Sequence, residues 1–192
     1  GHDAFAALSR YGAAAMATIG QRHALSRAGR DMEQRRGQDP LTELLNRAGF
    51  ELTVASILDR LVPGAEIRVI AVDLDGFNPI VAEAGWRAGD AVLREVGARV
   101  ARACPTGAAL ARLDVDRFAI ATDDPAVPDL ASHLVDLLAR PITTDVGTFT
   151  IRASIGQVIT PDPSTPPLVA IEEAQRRSAT ARPRSIAEAG RR

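Results

Sequence analysis

Apolar residues recur at helical spacing near the start of the chain. Residues 3–36 are rich in Ala, and an amphipathic helix is indicated by Phe5, Leu8, Ile19, Leu25 and Met32. Three interspersed glycines each lower helix propensity by about 1 kcal/mol relative to Ala, so we expect this helix to require a partner helix. A second helix is predicted over residues 46–61, with Asn46 as its N-cap.

Three later stretches have the composition of β-strands. Residues 66–74 are rich in β-branched side chains and predict a buried central strand that ends at acidic residues. Residues 109–113 and 117–121 are predicted to pair as a hairpin, and residues 148–159 to form one more strand.

Three more helices are predicted over residues 89–103, 126–139 and 168–178, with a proline-rich loop at 161–167. The predicted order is helix, strand, helix, helix, hairpin, helix, strand. Of the two helices that precede the hairpin, the second is the one predicted over residues 89–103, and the first is predicted without exact bounds. This order indicates an α+β, or α/β-layered, domain in which helices flank a central sheet.

Composition excludes several kinds of chemistry. All 23 basic residues are Arg, and the absence of Lys excludes a Walker-type phosphate loop and any Schiff-base mechanism. Cys104 is the single cysteine, which rules out a disulfide framework, and we expect it to pack as a small apolar residue. The three histidines are widely separated and lack the spacing of metal ligands.

The charge is distributed unevenly along the chain. Residues 1–38 carry six Arg and three acids, residues 39–167 eleven Arg and eighteen acids, and residues 168–192 six Arg and three acids. An acidic centre argues against a nucleic-acid partner, since phosphate backbones attract basic surfaces. No apolar run reaches the roughly 18 residues that a membrane span needs, so we expect a cytoplasmic location for this part of the protein.

The chain opens Gly1-His2-Asp3 without Met, which resembles a tag remnant on a fragment. We therefore expect further domains, and the longer protein could be anchored to a membrane. Within the chain we predict a connector helix over 1–38, a folded domain over 39–181 and a flexible tail or linker over 182–192.

Four short sequence motifs are considered together because of their order and spacing along the chain. They are Asp39-Pro40-Leu41-Thr42-Glu43-Leu44-Leu45-Asn46-Arg47, Val72-Asp73-Leu74-Asp75-Gly76-Phe77, Gly85-Trp86-Arg87-Ala88-Gly89-Asp90 and Ala111-Arg112-Leu113-Asp114-Val115-Asp116-Arg117-Phe118. In order and spacing they resemble the motifs of GGDEF domains, the diguanylate cyclases that join two GTP molecules into cyclic di-GMP. The last block resembles the signature motif that names the family, in a degenerate form.

This resemblance implies a palm-like nucleotidyl cyclase fold with a mostly antiparallel sheet, and metal-assisted phosphoryl transfer between two facing subunits. Carried over position by position, Asp73 and the backbone carbonyl of Leu74 correspond to metal ligands. Asp90 corresponds to a guanine contact, although an acid near a helix start also favours the helix dipole. Asp116 corresponds to the central acid of the signature.

Several positions depart from the family pattern. Arg117 stands where the family has a metal-binding acid, and a guanidinium offers donors but no acceptor. Placed about 4 Å from a divalent ion, its charge costs roughly 8 kcal/mol at an effective dielectric near 20. Asp114 and Val115 stand where the family has the two signature glycines, and Asn78 stands in place of a phosphate-contacting Lys. Val81 replaces an Asn that binds guanine, and Trp86 replaces a His.

Two roles are open for Arg117: an ion pair with Asp116, Asp114 or Asp73, or direct binding of phosphate in place of the metal.

The leading hypothesis is a catalytically inactive GGDEF domain that acts as a regulatory or dimerisation module, with a homodimer through the N-terminal helix. The alternatives are an active cyclase in which Asp114 or Asp116 replaces the missing ligand, a GTP-sensing domain that regulates a neighbouring phosphodiesterase domain, and an interaction scaffold without a ligand. We expect no cofactor, or Mg²⁺ if a site for GTP or cyclic di-GMP is retained. Asn78 and Asp90 would then be the nucleotide contacts, and we expect Trp86 to pack at the edge of the cleft.

Overall fold

The computed structural model describes residues 37–62, 64–125, 129–160 and 167–181. Within these ranges, in chain order, the elements are α1 (Arg47–Asp59), β1 (Ile67–Asp75), α2 (Phe77–Ala84), α3 (Trp86–Ala103), β2 (Ala109–Arg112), β3 (Arg117–Thr122), α4 (Leu130–Leu138), β4 (Ile142–Thr144), β5 (Gly147–Phe149), β6 (Arg152–Thr160) and α5 (Pro167–Ala181). The predicted connector helix, most of the proline-rich loop and the predicted tail lie outside the described residues.

Four strands form a sheet in the order β2-β3-β1-β6, and every neighbouring pair is antiparallel. The long strand β1 is central, as its β-branched composition predicts. Its register with β3 places Asp73 opposite Arg117, and its register with β6 places Asp73 opposite Ser154. This arrangement agrees with the predicted mostly antiparallel sheet flanked by helices.

The two faces of the sheet have separate cores because side chains alternate along a strand. On one face Ile70, Val72 and Leu74 of β1 pack with residues of α2, α3 and α4. On the other face Val69 and Ala71 pack with residues of α1 and α5. Asp73 has the parity of the second set, so its side chain emerges on the α5 side of the sheet.

Most predicted elements are present, with one difference among the first helices. Asn46 caps α1, and its side chain accepts a hydrogen bond from the Gly49 amide, as expected. The helix predicted to start at residue 89 begins at Trp86 instead. A Cβ on Gly89 would lie 2.8 Å from Val81 Cγ2, so this glycine permits close packing of α3 on α2 and does not start the helix.

The C-terminal part of the sheet also differs from expectation. The strand predicted over residues 148–159 is divided into β5, which pairs with β4 in a separate two-stranded sheet, and β6 of the main sheet. The predicted hairpin of β2 and β3 is confirmed. Burial raises the pKa of the Cys104 thiol to about 12, consistent with its expected role as a packing residue. Among the described helices, none is both long and apolar enough to cross a membrane.

Candidate functional site

The C-terminal end of β1 and the N-terminal end of β3 meet at one edge of the sheet and bring four predicted site residues together. Asp73 is directly opposite Arg117 in the antiparallel ladder. The next residue, Leu74, donates its backbone N–H to the carbonyl oxygen of Asp116 at 3.0 Å. The fold therefore gathers the carboxylate, backbone and signature positions that the sequence comparison assigned to a metal site.

Arg117 forms an ion pair with Asp73, one of the three partners considered from sequence. Arg117 Nε lies 3.4 Å from Asp73 Oδ2. The carboxylate is only 9% exposed, whereas the Arg117 side chain is 46% exposed. A guanidinium thus occupies the immediate surroundings of the carboxylate that would bind a metal ion, and it repels any divalent cation placed there.

Asp116 lies in the electrostatic field of both Asp73 and Arg117. Burial raises the pKa of the Asp116 carboxyl, and repulsion by Asp73 raises it further, against the opposing effects of a backbone hydrogen bond and Arg117. Among the described residues there is no group of three or more His, Cys, Asp or Glu placed to hold a metal ion.

The signature turn between β2 and β3 is held by side-chain contacts instead of glycines. Asp114 Oδ1 accepts a hydrogen bond from the Val115 amide at 2.9 Å, and the Val115 carbonyl accepts one from Arg112 Nη2 at 2.8 Å. Of the described non-glycine residues, Glu43 alone has a positive φ, so neither Asp114 nor Val115 adopts the left-handed conformation. The turn connects the two strands of a hairpin, but it lacks the conformational freedom of the backbone that two glycines would provide.

Arg112 connects this turn to the start of the domain. Its Nη1 lies 3.3 Å from both carboxylate oxygens of Asp39, and Asp39 Oδ1 also accepts hydrogen bonds from the Thr42 amide and hydroxyl. Partial burial raises the pKa of Asp39, but the Thr42 hydrogen bonds and the Arg112 charge outweigh it, and the net pKa lies below the usual value. The signature turn and the start of the domain are therefore held together by one ionised carboxylate.

The candidate nucleotide-binding positions are less completely assembled. Asn78 lines a small cavity of about 250 Å³ together with Leu74 and Asp116, where the chain turns through Gly76 at φ 89. Asp90 lies in the second turn of α3, past the first turn in which a helix dipole acts, so its predicted role at a helix start is wrong.

Two positions expected to affect the base site are now placed. Val81 projects toward Gly89, and an apolar side chain there offers no hydrogen bond to a base. Trp86 does not pack at the cleft edge as expected, because 70% of its surface is exposed.

Sequence reasoning missed a contribution from α5. A cleft of about 410 Å³ lies between the sheet and this helix, beside the Asp73–Arg117 pair, and its helix side is lined by Glu172, Gln175, Arg176, Ser178 and Ala179. Helical spacing places residues 172, 175, 176 and 179 on one face of the helix, and this pattern could have indicated that they line a common surface. The sequence of the helix does not indicate which strand that face packs against.

Comparison with known proteins identifies relatives over this same region. The profile of the family described as "Diguanylate cyclase, GGDEF domain" matches residues 37–185. An uncharacterized signaling protein of Caulobacter vibrioides is 34% identical over 149 residues, covering 69% of this chain and 18% of that protein. The bifunctional diguanylate cyclase/cyclic di-GMP phosphodiesterase MucR of Pseudomonas aeruginosa is 30% identical over 141 residues, covering 71% of this chain and 21% of MucR. The chain therefore spans about a fifth of the length of these curated relatives.

Solved structures agree with the fold. A sensory box/GGDEF family protein from Caulobacter crescentus is 32% identical, with a TM-score of 0.69 and coverage of 76% of this chain and 97% of that one. The coiled coil and GGDEF domain of DgcB from the same organism, crystallised with cyclic di-GMP, has a TM-score of 0.71 at 20% identity, covering 85% and 90% of the two chains. The predicted palm-like architecture is confirmed by these neighbours.

Proposed function

This chain belongs to the GGDEF family of diguanylate cyclase domains, and we propose that it is a member without cyclase activity that serves as a regulatory or dimerisation module in cyclic di-GMP signalling. The ion pair between Arg117 and Asp73 carries the proposal. Cyclisation of GTP in this family depends on divalent ions that neutralise phosphate charge and help activate the attacking hydroxyl. A fixed positive charge at the ligand position opposes binding of those ions.

The repulsion between Arg117 and a metal ion is larger than the loss of any single contact to the base. A unit positive charge about 4 Å from a divalent ion costs roughly 8 kcal/mol at an effective dielectric near 20. Loss of a single base contact, such as the one expected from Val81, is worth only about 1 to 3 kcal/mol. The guanidinium at position 117 is therefore the dominant defect, and the altered base and phosphate contacts add to it.

Mg²⁺ and the nucleotide have only partial sites on this chain. The carboxylate of Asp73 and the carbonyl of Leu74 would be the remaining metal ligands, and Asn78 and Asp90 the remaining nucleotide contacts. Mg²⁺ usually binds one or two carboxylates together with substrate phosphates, and the second carboxylate is missing here. We therefore expect no resident cofactor.

A regulatory role also agrees with the domain context of the relatives. MucR is bifunctional, and NbdA of Pseudomonas aeruginosa, 29% identical over 142 residues, is a cyclic di-GMP phosphodiesterase. In both, the matched region is a small part of a longer protein. A domain that has lost its own chemistry can still contribute an interface or a ligand-dependent signal to a neighbouring catalytic domain.

Incubation of the purified chain with GTP and either Mg²⁺ or Mn²⁺, followed by chromatographic separation of nucleotides, tests this proposal. We expect GTP to remain unconverted even at protein concentrations that favour dimers. In a companion measurement, Arg117→Glu should raise the affinity for Mn²⁺, whereas Arg102→Glu, which makes the same charge change on an exposed side chain of α3, should not. Formation of cyclic di-GMP by the unmodified chain would refute the proposal.

The competing function is an active cyclase in which Asp116 supplies the missing ligand. The observation in its favour is that Asp116 and Leu74 line the same small cavity. The same incubation decides the matter: activity that is abolished by Asp116→Asn but retained in Asp114→Asn would establish this alternative.

A further inference from the structure

The two halves of α5 are attached to the sheet by different kinds of contact. In the first half, residues 167–174, the side chains of Ala170, Ile171 and Ala174 are buried in the core that also contains residues of α1 and the sheet. Among the described side chains of the second half, residues 175–181, Ser178 alone is buried. Because burial of apolar surface is the main stabilising contribution, the first half is anchored and the second half is attached more weakly.

Polar contacts to β6 hold the second half of the helix. The Ser178 hydroxyl donates to the Ser154 carbonyl at 2.6 Å, and Arg177 Nη1 donates to the Gln157 carbonyl at 3.0 Å. The Arg177 side chain is exposed, so water competes for its hydrogen bond. A neutral hydrogen bond adds only modestly to stability, since water replaces the lost partner when the bond breaks. Detachment of this half therefore breaks few strong contacts.

The cleft of about 410 Å³ beside the Asp73–Arg117 pair lies under this same half of the helix. One of the residues that line it, Gln175, has a buried side-chain Nε2 without a hydrogen-bond partner among the described residues. A buried donor that lacks an acceptor destabilises the arrangement in which it is buried, and detachment of the helix would expose it to water. The attached arrangement thus contains a group that favours opening.

Ser154 connects the second half of α5 to the end of β1. Its carbonyl accepts the hydrogen bond from Ser178, and its own hydroxyl donates to Asp75 Oδ2 at 2.7 Å. Both serines are buried, and Asp75 is the last residue of β1. In the antiparallel ladder Ser154 is also directly opposite Asp73. Two hydrogen bonds therefore form a continuous chain from the helix to the edge of the sheet that carries the Asp73–Arg117 pair.

We propose that the second half of α5 is a latch, which detaches from β6 while the first half stays in the core, and that Ser154 transmits the position of the latch to Asp75. In the closed state the helix covers one side of the cleft beside Asp73 and Arg117, and in the open state that side is exposed to solvent. A regulatory domain requires such a two-state element in order to change its surface. The inference concerns the motion of the helix, so it holds whether or not the domain cyclises GTP.

Hydrogen–deuterium exchange of the full 192-residue chain, measured by mass spectrometry, tests the latch. We expect the amides of residues 175–181 to exchange by local opening, faster than the amides of residues 171–174. Ser178→Ala should accelerate exchange in the second half about fivefold, the effect of one lost hydrogen bond, and leave the first half unchanged. Thr180→Ala is the matched control, because its hydroxyl donates to the Arg177 carbonyl within the helix, and it should leave exchange at residues 74–78 unchanged.

The connection through Ser154 is tested in the same experiment, since energetic coupling between two sites is reciprocal. Ser178→Ala should accelerate exchange at residues 74–78, and Ser154→Ala should accelerate exchange at residues 175–181, each by at least about twofold. Fraying at the end of α5 would produce neither change.

Three results would overturn the inference. Equal protection of the two halves of α5 in the unmodified chain, or acceleration of exchange throughout the domain by Ser178→Ala, would mean that the helix does not open in part. Effects of the two substitutions confined to their own segments would mean that Ser154 transmits nothing to Asp75. Cyclisation of GTP is measured separately, so none of these results bears on the proposed loss of cyclase activity.

Discussion

Arg117 and Asp73 lie opposite each other in neighbouring strands, and the choice among the three acids considered for Arg117 follows from that register. Asp114 is engaged with the Val115 amide in the turn, and Asp116 immediately precedes the strand. Sequence alone identified the unusual arginine and its candidate partners. It could not choose between them, because the choice depends on which residues of two distant strands pair.

The contact between Asp39 and Arg112 leads to a prediction about acid stability. The folded-state pKa of Asp39 is lowered, so its contribution to stability is present above the unfolded value near 3.8 and is lost as the pH falls through the lower folded value. We expect Asp39→Asn to cost about 1 kcal/mol at pH 7, discounted for solvent screening, and to flatten the loss of stability below about pH 4.

Urea unfolding of both forms at a series of pH values measures this effect. Glu83→Gln, on the exposed face of α2, is the control and should follow the parent curve. Parallel pH profiles for Asp39→Asn and the unmodified chain would show that the carboxylate has no special role in joining the signature turn to the start of the domain.

Among the elements, the long periodic segments were predicted well and the short ones were not. The cap at Asn46 and the central strand follow from local sequence signals that packing reinforces. The strands β4 and β5 have three residues each, too few to display a period, and they were merged with β6 or missed. The start of α3 was misplaced because Gly89 was taken as a helix boundary, whereas its function is close packing against α2.

A second glycine provides a sharp test of how α5 packs on the sheet. A Cβ on Gly156 of β6 would lie 2.1 Å from the Ala174 carbonyl oxygen and 2.2 Å from the Ser178 amide nitrogen. Because both atoms belong to the backbone of α5, they cannot move aside without displacing the helix. We expect Gly156→Ala to destabilise the domain by more than about 2 kcal/mol.

Thermal or urea unfolding of Gly156→Ala measures this cost. Gly97→Ala in α3 is the matched control, because its new Cβ would meet side-chain atoms of Thr42 at 3.3 Å and the helix gains propensity. The control should change stability only slightly. An equally small effect of Gly156→Ala would mean that α5 does not lie as close to β6 as described.

For the whole molecule, the described fold accounts for residues 37–181 with gaps, and the role of the first 36 residues is still a prediction. Their Ala-rich amphipathic pattern, interrupted by glycines, predicts a helix that needs a partner. We expect the 192-residue chain to sediment as a dimer and a version starting at residue 37 as a monomer. Analytical ultracentrifugation of the two proteins measures their oligomeric states directly. The same oligomeric state for both would show that the N-terminal segment is not the dimerisation element.

The presence or absence of a metal ion beside Arg117 is the most direct test of the account. A crystal of the domain soaked with Mn²⁺ and a nonhydrolysable GTP analogue would locate the ion by its anomalous scattering. We predict no manganese within coordinating distance of the Asp73 carboxylate, with Arg117 still paired to it. A manganese ion coordinated by the Asp73 carboxylate and the Leu74 carbonyl, with Arg117 displaced from Asp73, would contradict the account.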